Sequence, residues 1–150
     1  MPEDAFERAV GALGHREHTT AELAAWLAER GFPPAEVEGA IERLTAIGEL
    51  DDERFARRYA EDKRELRGWG ADRIREALAA KGLDRATVEA AVGVEADEDE
   101  LERALLLLER RGEPAVDEAS RSRALGFLAR RGYESEVAYE AVRAYERRAA

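Results

Sequence analysis

A glycine that returns at a nearly fixed interval limits this chain to a small set of folds. Gly31, Gly82 and Gly132 stand 51 and 50 residues apart, and their surroundings match. Four residues before each glycine is a leucine (Leu27, Leu78, Leu128), and one before it is a base (Arg30, Lys81, Arg131). One after it is a large apolar residue (Phe32, Leu83, Tyr133), and ten after it a β-branched one (Ile41, Val92, Val142). Agreement in chemical type over three copies is the mark of a tandem repeat. The expected units are 1–50, 51–93 and 94–150.

The second copy is the clearest. In RGWGADRIREALAAKG, Arg67 to Gly82, the residues Ile74, Ala77 and Leu78 fall at i, i+3, i+4, so the segment is a helix with one apolar stripe, while Asp72, Arg75 and Glu76 turn away from it. Lys81 and Gly82 end that helix with a cation at the carbonyl end and a residue tolerant of left-handed backbone. Asp84 then caps a further helix in which Val88, Ala91 and Val92 repeat the spacing.

Composition supports an all-α fold. Aromatic residues make up only 7% of the chain and charged ones 39%, with the strong helix formers Ala, Glu, Arg and Leu dominant. Much of the apolar content is alanine, so the cores should be small. The absence of cysteine excludes a disulfide framework and thiolate metal sites, and points to a reducing, cytoplasmic compartment. MPEDAFERAV has acids and no apolar run of signal-peptide type, and no stretch is apolar over a membrane's width.

The first unit reads as a helix over 3–13 with Phe6, Val10 and Leu13 on one face. A second helix is opened by a Thr19/Glu22 capping box, and a third starts at Pro34 with Val37, Ala40, Ile41 and Leu44 inward. In the second unit Asp51 or Asp52 caps a helix running through Arg67. Phe55, Tyr59 and Leu66 share one face of it, and Arg57, Arg64 and Arg67 form a solvated stripe on the other. Residues 93–97 read as a linker. The third unit carries Leu101, Ala104, Leu105 and Leu108, breaks at Gly112-Glu113-Pro114, and resumes with helices near 117–131 and from Ser135. Helices this short are unstable alone, so each unit must pack its three together.

No catalytic constellation is visible, and neither a cofactor nor a metal site is expected. His15 and His18 flank Glu17 in a turn, where solvated side chains are the simple reading, and no Gly-rich phosphate loop or nucleophile motif is present. The informative feature is charge. Net charge is −10, yet the balance is −9 over 1–53, +3 over 54–92, −7 over 93–119 and +3 over 120–150. The basic island at 54–92 contains Arg57, Lys63, Arg64, Arg67, Arg73 and Arg75, and Trp69 sits there between two glycines. A Trp in that position either covers a joint between helices or anchors a partner. TTAELAAWLAERGFPPAEVEGAIERLTAIGEL also has the outline of a helix-turn-helix DNA-binding regulator. Its second helix, however, offers Glu36, Glu38 and Glu42 against one Arg43, which repels phosphate.

Taken together, TTAEL, AIERL and GELDDERFA in the first unit, RGWGADRIREALAAKGLDRATVEAAV in the second and LGFLARRGYESEVAYEAV in the third resemble the RecX family of bacterial regulatory proteins. The resemblance covers nearly the whole chain. It implies an elongated, curved array of three tandem three-helix repeats, about nine helices, without enzymatic activity. It further implies a monomer that lodges in the groove of the RecA recombinase filament on DNA and restrains its recombination, ATPase and coprotease activities. Weak direct DNA binding is a secondary expectation, opposed by the acidic balance. The residues expected to meet the filament are Arg57, Lys63, Arg64, Arg67, Trp69, Arg73 and Arg75.

Overall fold

The computed structural model describes residues 3–93 and 97–149. Among them there are nine α-helices and no strand: α1 Ala5–His15, α2 Thr20–Glu29, α3 Pro34–Ala46, α4 Asp52–Arg67, α5 Ala71–Ala80, α6 Arg85–Val92, α7 Asp97–Arg111, α8 Glu118–Arg130 and α9 Ser135–Ala149. Most of the expected linker, 94–96, lies outside the described residues.

The stop signals act as their chemistry requires. Gly31, Gly82 and Gly132 have φ of 87°, 84° and 92°, which an L side chain rarely adopts. The chain then reverses so that the Phe32 N–H donates to the Leu27 carbonyl at 3.3 Å and Tyr133 to Leu128 at 3.1 Å. The leucine four before each glycine is fully buried. Thr19 and Glu22 form the reciprocal capping box of α2, and Asp84 caps α6 through the Thr87 N–H at 2.8 Å. Asp51 caps α4 through the Arg54 N–H.

By compactness the chain divides into two units, 1–58 with 78–88 and 59–77 with 89–150. In the first, Ala5, Ala9, Ala12, Leu23, Leu27 and Leu44 form the centre of the core. The buried stripe of α1 is therefore its alanines. Phe6 and Leu13 pack at the margin and Val10 is exposed, contrary to the wheel reading, because a helix that presents small residues lies closer to its partners than one that presents Phe and Val. In the second, Ala104, Leu105 and Leu108 of α7 pack with Leu128 of α8 and with Ala138, Ala141 and Val142 of α9.

Each unit contains the same junction, and this gives the repeat its physical meaning. In the first, the start of α2 meets the turn after α5: the Thr19 hydroxyl donates to the Lys81 carbonyl at 2.8 Å, and a Cβ on Gly82 would collide with Ala21. The Thr20 N–H donates to the Asp52 carboxylate at 2.8 Å, so Asp52 serves α2 rather than its own helix. In the second, the start of α5 meets the turn after α8: the Gly70 N–H donates to the Arg131 carbonyl at 2.7 Å and the Asp72 N–H to the Gly132 carbonyl at 2.8 Å. There the buried Glu100 carboxylate accepts from the Ala71 N–H at 2.9 Å, as Asp52 does from Thr20. Orphan amides at a helix start thus find carbonyls at a helix end, with a carboxylate added where the macrodipole favours it.

Gly70 is required by contact, and Gly132 by contact as well as by its φ of 92°. A Cβ on Gly70 would lie 2.6 Å from the Gly132 carbonyl and the Tyr133 nitrogen, and one on Gly132 would collide with the backbone of Arg73. Either alanine substitution should cost about 2–3 kcal/mol through forced backbone displacement, and the double variant should cost less than the sum because both open one junction. Gly39→Ala, in open space on α3, should add about 0.5–1 kcal/mol. Urea unfolding followed by circular dichroism reads all four variants; glycine variants at the junction as stable as the parent would remove it from the account.

One histidine departs from the solvated turn expected of it. His15 is exposed, but His18 is only 7% exposed, drawn inward beside the buried Thr19, and its Nδ1 makes no hydrogen bond among the described residues. Burial lowers its pKa below the ordinary 6.5, and the Arg16 charge acts in the same direction. The folded imidazole binds a proton more weakly than the unfolded one. Its contribution to stability is therefore present above about pH 6.5 and is lost as the pH falls through the depressed folded pKa. The urea midpoint should drop between pH 7.5 and 5.5, and His18→Leu should flatten that drop; an unchanged slope would contradict this origin.

Candidate functional site

Trp69 is fixed before its side chain touches anything. Gly68 turns the chain off the end of α4 with φ 66°, and the Trp69 N–H donates back to the Lys63 carbonyl at 3.1 Å. Its own carbonyl accepts from Arg103 at 3.0 Å, and the Gly68 carbonyl accepts from the Tyr133 hydroxyl at 3.0 Å. The Arg67 carbonyl accepts from Arg131 at 3.3 Å. With Gly70, Ala71 and Asp72 held by the junction, the backbone from 67 to 72 is satisfied almost group by group, so this turn is as determined as a helix.

The indole that emerges is half-buried and stacked. Tyr59 meets it edge-on, with ring centroids 6.4 Å apart and planes at 66°. The Arg73 guanidinium lies 4.2 Å from the indole centroid, and the Lys63 ammonium is 4.9 Å from it and 5.2 Å from the Tyr59 ring. Each cation–π contact at a partly exposed site contributes on the order of 0.5–1 kcal/mol. The stack presents two cations and an aromatic rim in one place, a combination common at binding hot spots. Three of the seven residues expected from the sequence, Lys63, Trp69 and Arg73, are thereby brought together. Trp69 covers the joint between α4 and α5 and stays partly exposed.

The remaining four separate. Arg64 is half-buried, and its guanidinium donates to the carbonyls of Ala91 and Val92 at 3.3 and 2.7 Å, capping the last turn of α6. The expected solvated arginine stripe is corrected on this point: the carbonyl end of a packed helix draws the arginine in. Arg75 is held by Glu89 at 2.6 Å, Asp72 at 2.8 Å and Glu134 at 3.5 Å, and its hydrogen bond to Glu89 is the main cause of its raised pKa. Arg57 and Arg67 are exposed. Leu66, placed with Phe55 on the wheel, is 77% exposed because it forms one wall of an open cleft with Leu106 and Leu107.

Arg103, Arg131, Tyr133 and Glu100 position this site and were not anticipated. Only Arg131 and Tyr133 carried any signal, as the base before and the apolar residue after the third repeated glycine. For the helix-turn-helix reading, α3 presents Glu36, Glu38 and Glu42 outward, its Arg43 lies over the Phe6 ring at 3.8 Å, and no strand among the described residues forms a wing. No group of three or more potential metal ligands occurs among the described residues. No helix among them is long and apolar enough to cross a membrane.

Among the described residues the chain is all-α and carries a stacked cation–aromatic surface at Trp69. Comparison with known proteins gives the family. The model of the first three-helix domain of RecX matches residues 5–44 and that of the second matches 51–92. The regulatory protein RecX of Trichlorobacter lovleyi is 35% identical over 142 residues, covering 91% of this chain and 92% of that one. The RecX of Xanthomonas campestris pv. campestris is 42% identical over 130 residues, 85% of this chain and 79% of its own. The crystal structure of RecX from Lactobacillus salivarius shares the fold with a TM-score of 0.88 at 17% identity, over 95% of this chain and 94% of that one. The chain belongs to the RecX family of regulatory proteins.

Proposed function

We propose that this protein binds the RecA recombinase filament on DNA and restrains its recombination, ATPase and coprotease activities. It acts as a monomer in the cytoplasm, by occupancy rather than by catalysis. Membership of the RecX family, whose relatives are named regulatory proteins, is the observation that carries this proposal. The three expected repeats, 1–50, 51–93 and 94–150, supply the binding surface. Lys63, Trp69 and Arg73 form its centre, with Arg57 and Arg67 as exposed charges and with Arg64 and Arg75 holding the helices that carry them. The net charge of −10 disfavours free DNA as the primary ligand, so attraction to the filament rests on local charge.

Titrating the protein into DNA-dependent ATP hydrolysis by RecA tests the proposal. Inhibition is expected, with co-sedimentation on RecA–DNA filaments; neither effect at saturating protein would reject it. Lys63→Glu with Arg73→Glu should raise the half-inhibitory concentration about tenfold or more, equivalent to at least ~1.4 kcal/mol, while far-ultraviolet circular dichroism stays unchanged. A folded double variant that inhibits as well as the parent would remove this face from the contact.

A further inference from the structure

A second surface, which shares Arg67 with the proposed filament face but none of Lys63, Trp69 and Arg73, is built where the end of α4 faces α7 and the turn after α8. Leu66, Arg67, Arg103, Leu106, Arg110 and Arg131 line a cleft of about 340 Å³, whose single acid is Glu65. Its charges are of two kinds. Arg64, Arg103 and Arg131 are anchored, Arg64 on the Ala91 and Val92 carbonyls, Arg103 on the Trp69 carbonyl and the Tyr133 hydroxyl, and Arg131 on the Arg67 carbonyl, and Arg131 also lies 4.7 Å from the Phe127 ring. The side chains of Arg67 and Arg110 are exposed and make no hydrogen bond or ion pair among the described residues. Leu66 and Leu106, 77% and 43% exposed, line the same cleft, in a chain whose large apolar side chains are otherwise mostly packed away.

Guanidinium forks bind carboxylates in bidentate fashion, and an exposed aliphatic pair rimmed by charge marks a contact for an apolar side chain. We propose that this cleft binds an acidic peptide segment of a partner protein, one bearing an aliphatic side chain among its carboxylates. That aliphatic side chain seats against Leu66 and Leu106, and the flanking carboxylates pair with Arg67 and Arg110. Nucleic acid fits less well. The exposed apolar surface is aliphatic and offers no stacking platform, for Tyr133, the aromatic residue lining the cleft, is buried. Charge complementarity chooses the acidic occupant, and the whole chain's charge of −10 makes the cleft a local exception that a short segment can reach. This proposal goes beyond the filament reading and stands whether or not RecA supplies the segment.

The test is fluorescence anisotropy with the full-length protein and a fluorescein-labelled decapeptide of glutamate and aspartate with one central leucine. Saturable binding is expected at low salt, weakened as salt rises. Arg67→Glu with Arg110→Glu should weaken it at least about tenfold, and replacing the peptide's leucine by serine, or Leu106 by Asn, about fivefold. Lys63→Glu with Arg73→Glu should leave it unchanged. Arg67, Leu106 and Arg110 are all exposed, and circular dichroism confirms that each variant folds. Absence of saturable binding, binding indifferent to Arg67→Glu with Arg110→Glu, or displacement of the peptide by an equal concentration of single-stranded DNA would overturn the proposal.

Discussion

The first amides of α5 find their acceptors outside their own helix, on the carbonyls of Arg131 and Gly132, and the buried Glu100 carboxylate takes the amide between them. Everything distinctive about the second compact unit follows from that contact. It requires backbone against backbone, which only glycine permits at 70 and 132, and it sets the positive end of one helix against the negative end of another. The first unit makes the corresponding contact with Thr19, Thr20 and Ala21 against Lys81, Gly82 and Asp52. The interval of about fifty residues is therefore the spacing of a junction as well as of three helices. In the third repeat, where no further copy follows within the described residues, α8 is closed by its own box of Asp117 and Ser120.

The junction also explains why the site can be exposed and still ordered. A tryptophan in a glycine-flanked turn would ordinarily be mobile, but the carbonyls of Arg67, Gly68 and Trp69 and the amides of Gly70, Ala71 and Asp72 all have partners contributed by α7 and the turn after α8. Rotamer freedom is then limited by the cations of Lys63 and Arg73 on the ring. Such a surface loses little entropy when a partner meets it, which favours binding by the means available to a chain with few aromatic residues.

Local chemistry was legible in the sequence, and tertiary pairing was not. The glycine stops, the Thr19/Glu22 box, Pro34 at the start of α3 and the inward stripes of α5, α6, α7 and α9 each depend on residues within a few positions of one another. Of the candidate site, the convergence of Lys63, Trp69 and Arg73 was within reach because they lie on adjoining turns. Arg64 could not be told from a solvated arginine without knowing that the end of α6 lies beside it, nor Asp52 from a cap of α4 without the start of α2. Arg103 and Arg110 reach the α4 end from across a chain separation that no periodicity records. The alanine face of α1 was misread because a wheel weighs hydrophobicity and ignores how closely a helix is allowed to approach.

Amide hydrogen exchange resolved to single residues tests the junction most directly. Gly70 and Asp72 lie in what would otherwise be an open turn and the first turn of a helix, positions that normally exchange quickly. If their amides bond to Arg131 and Gly132, they should exchange as slowly as the fully buried Ile74 in the middle of α5. Exchange at the rate of an exposed loop, with Ile74 still protected, would mean that α5 forms without the junction, and the account of the repeat and of the ordered Trp69 surface would fail.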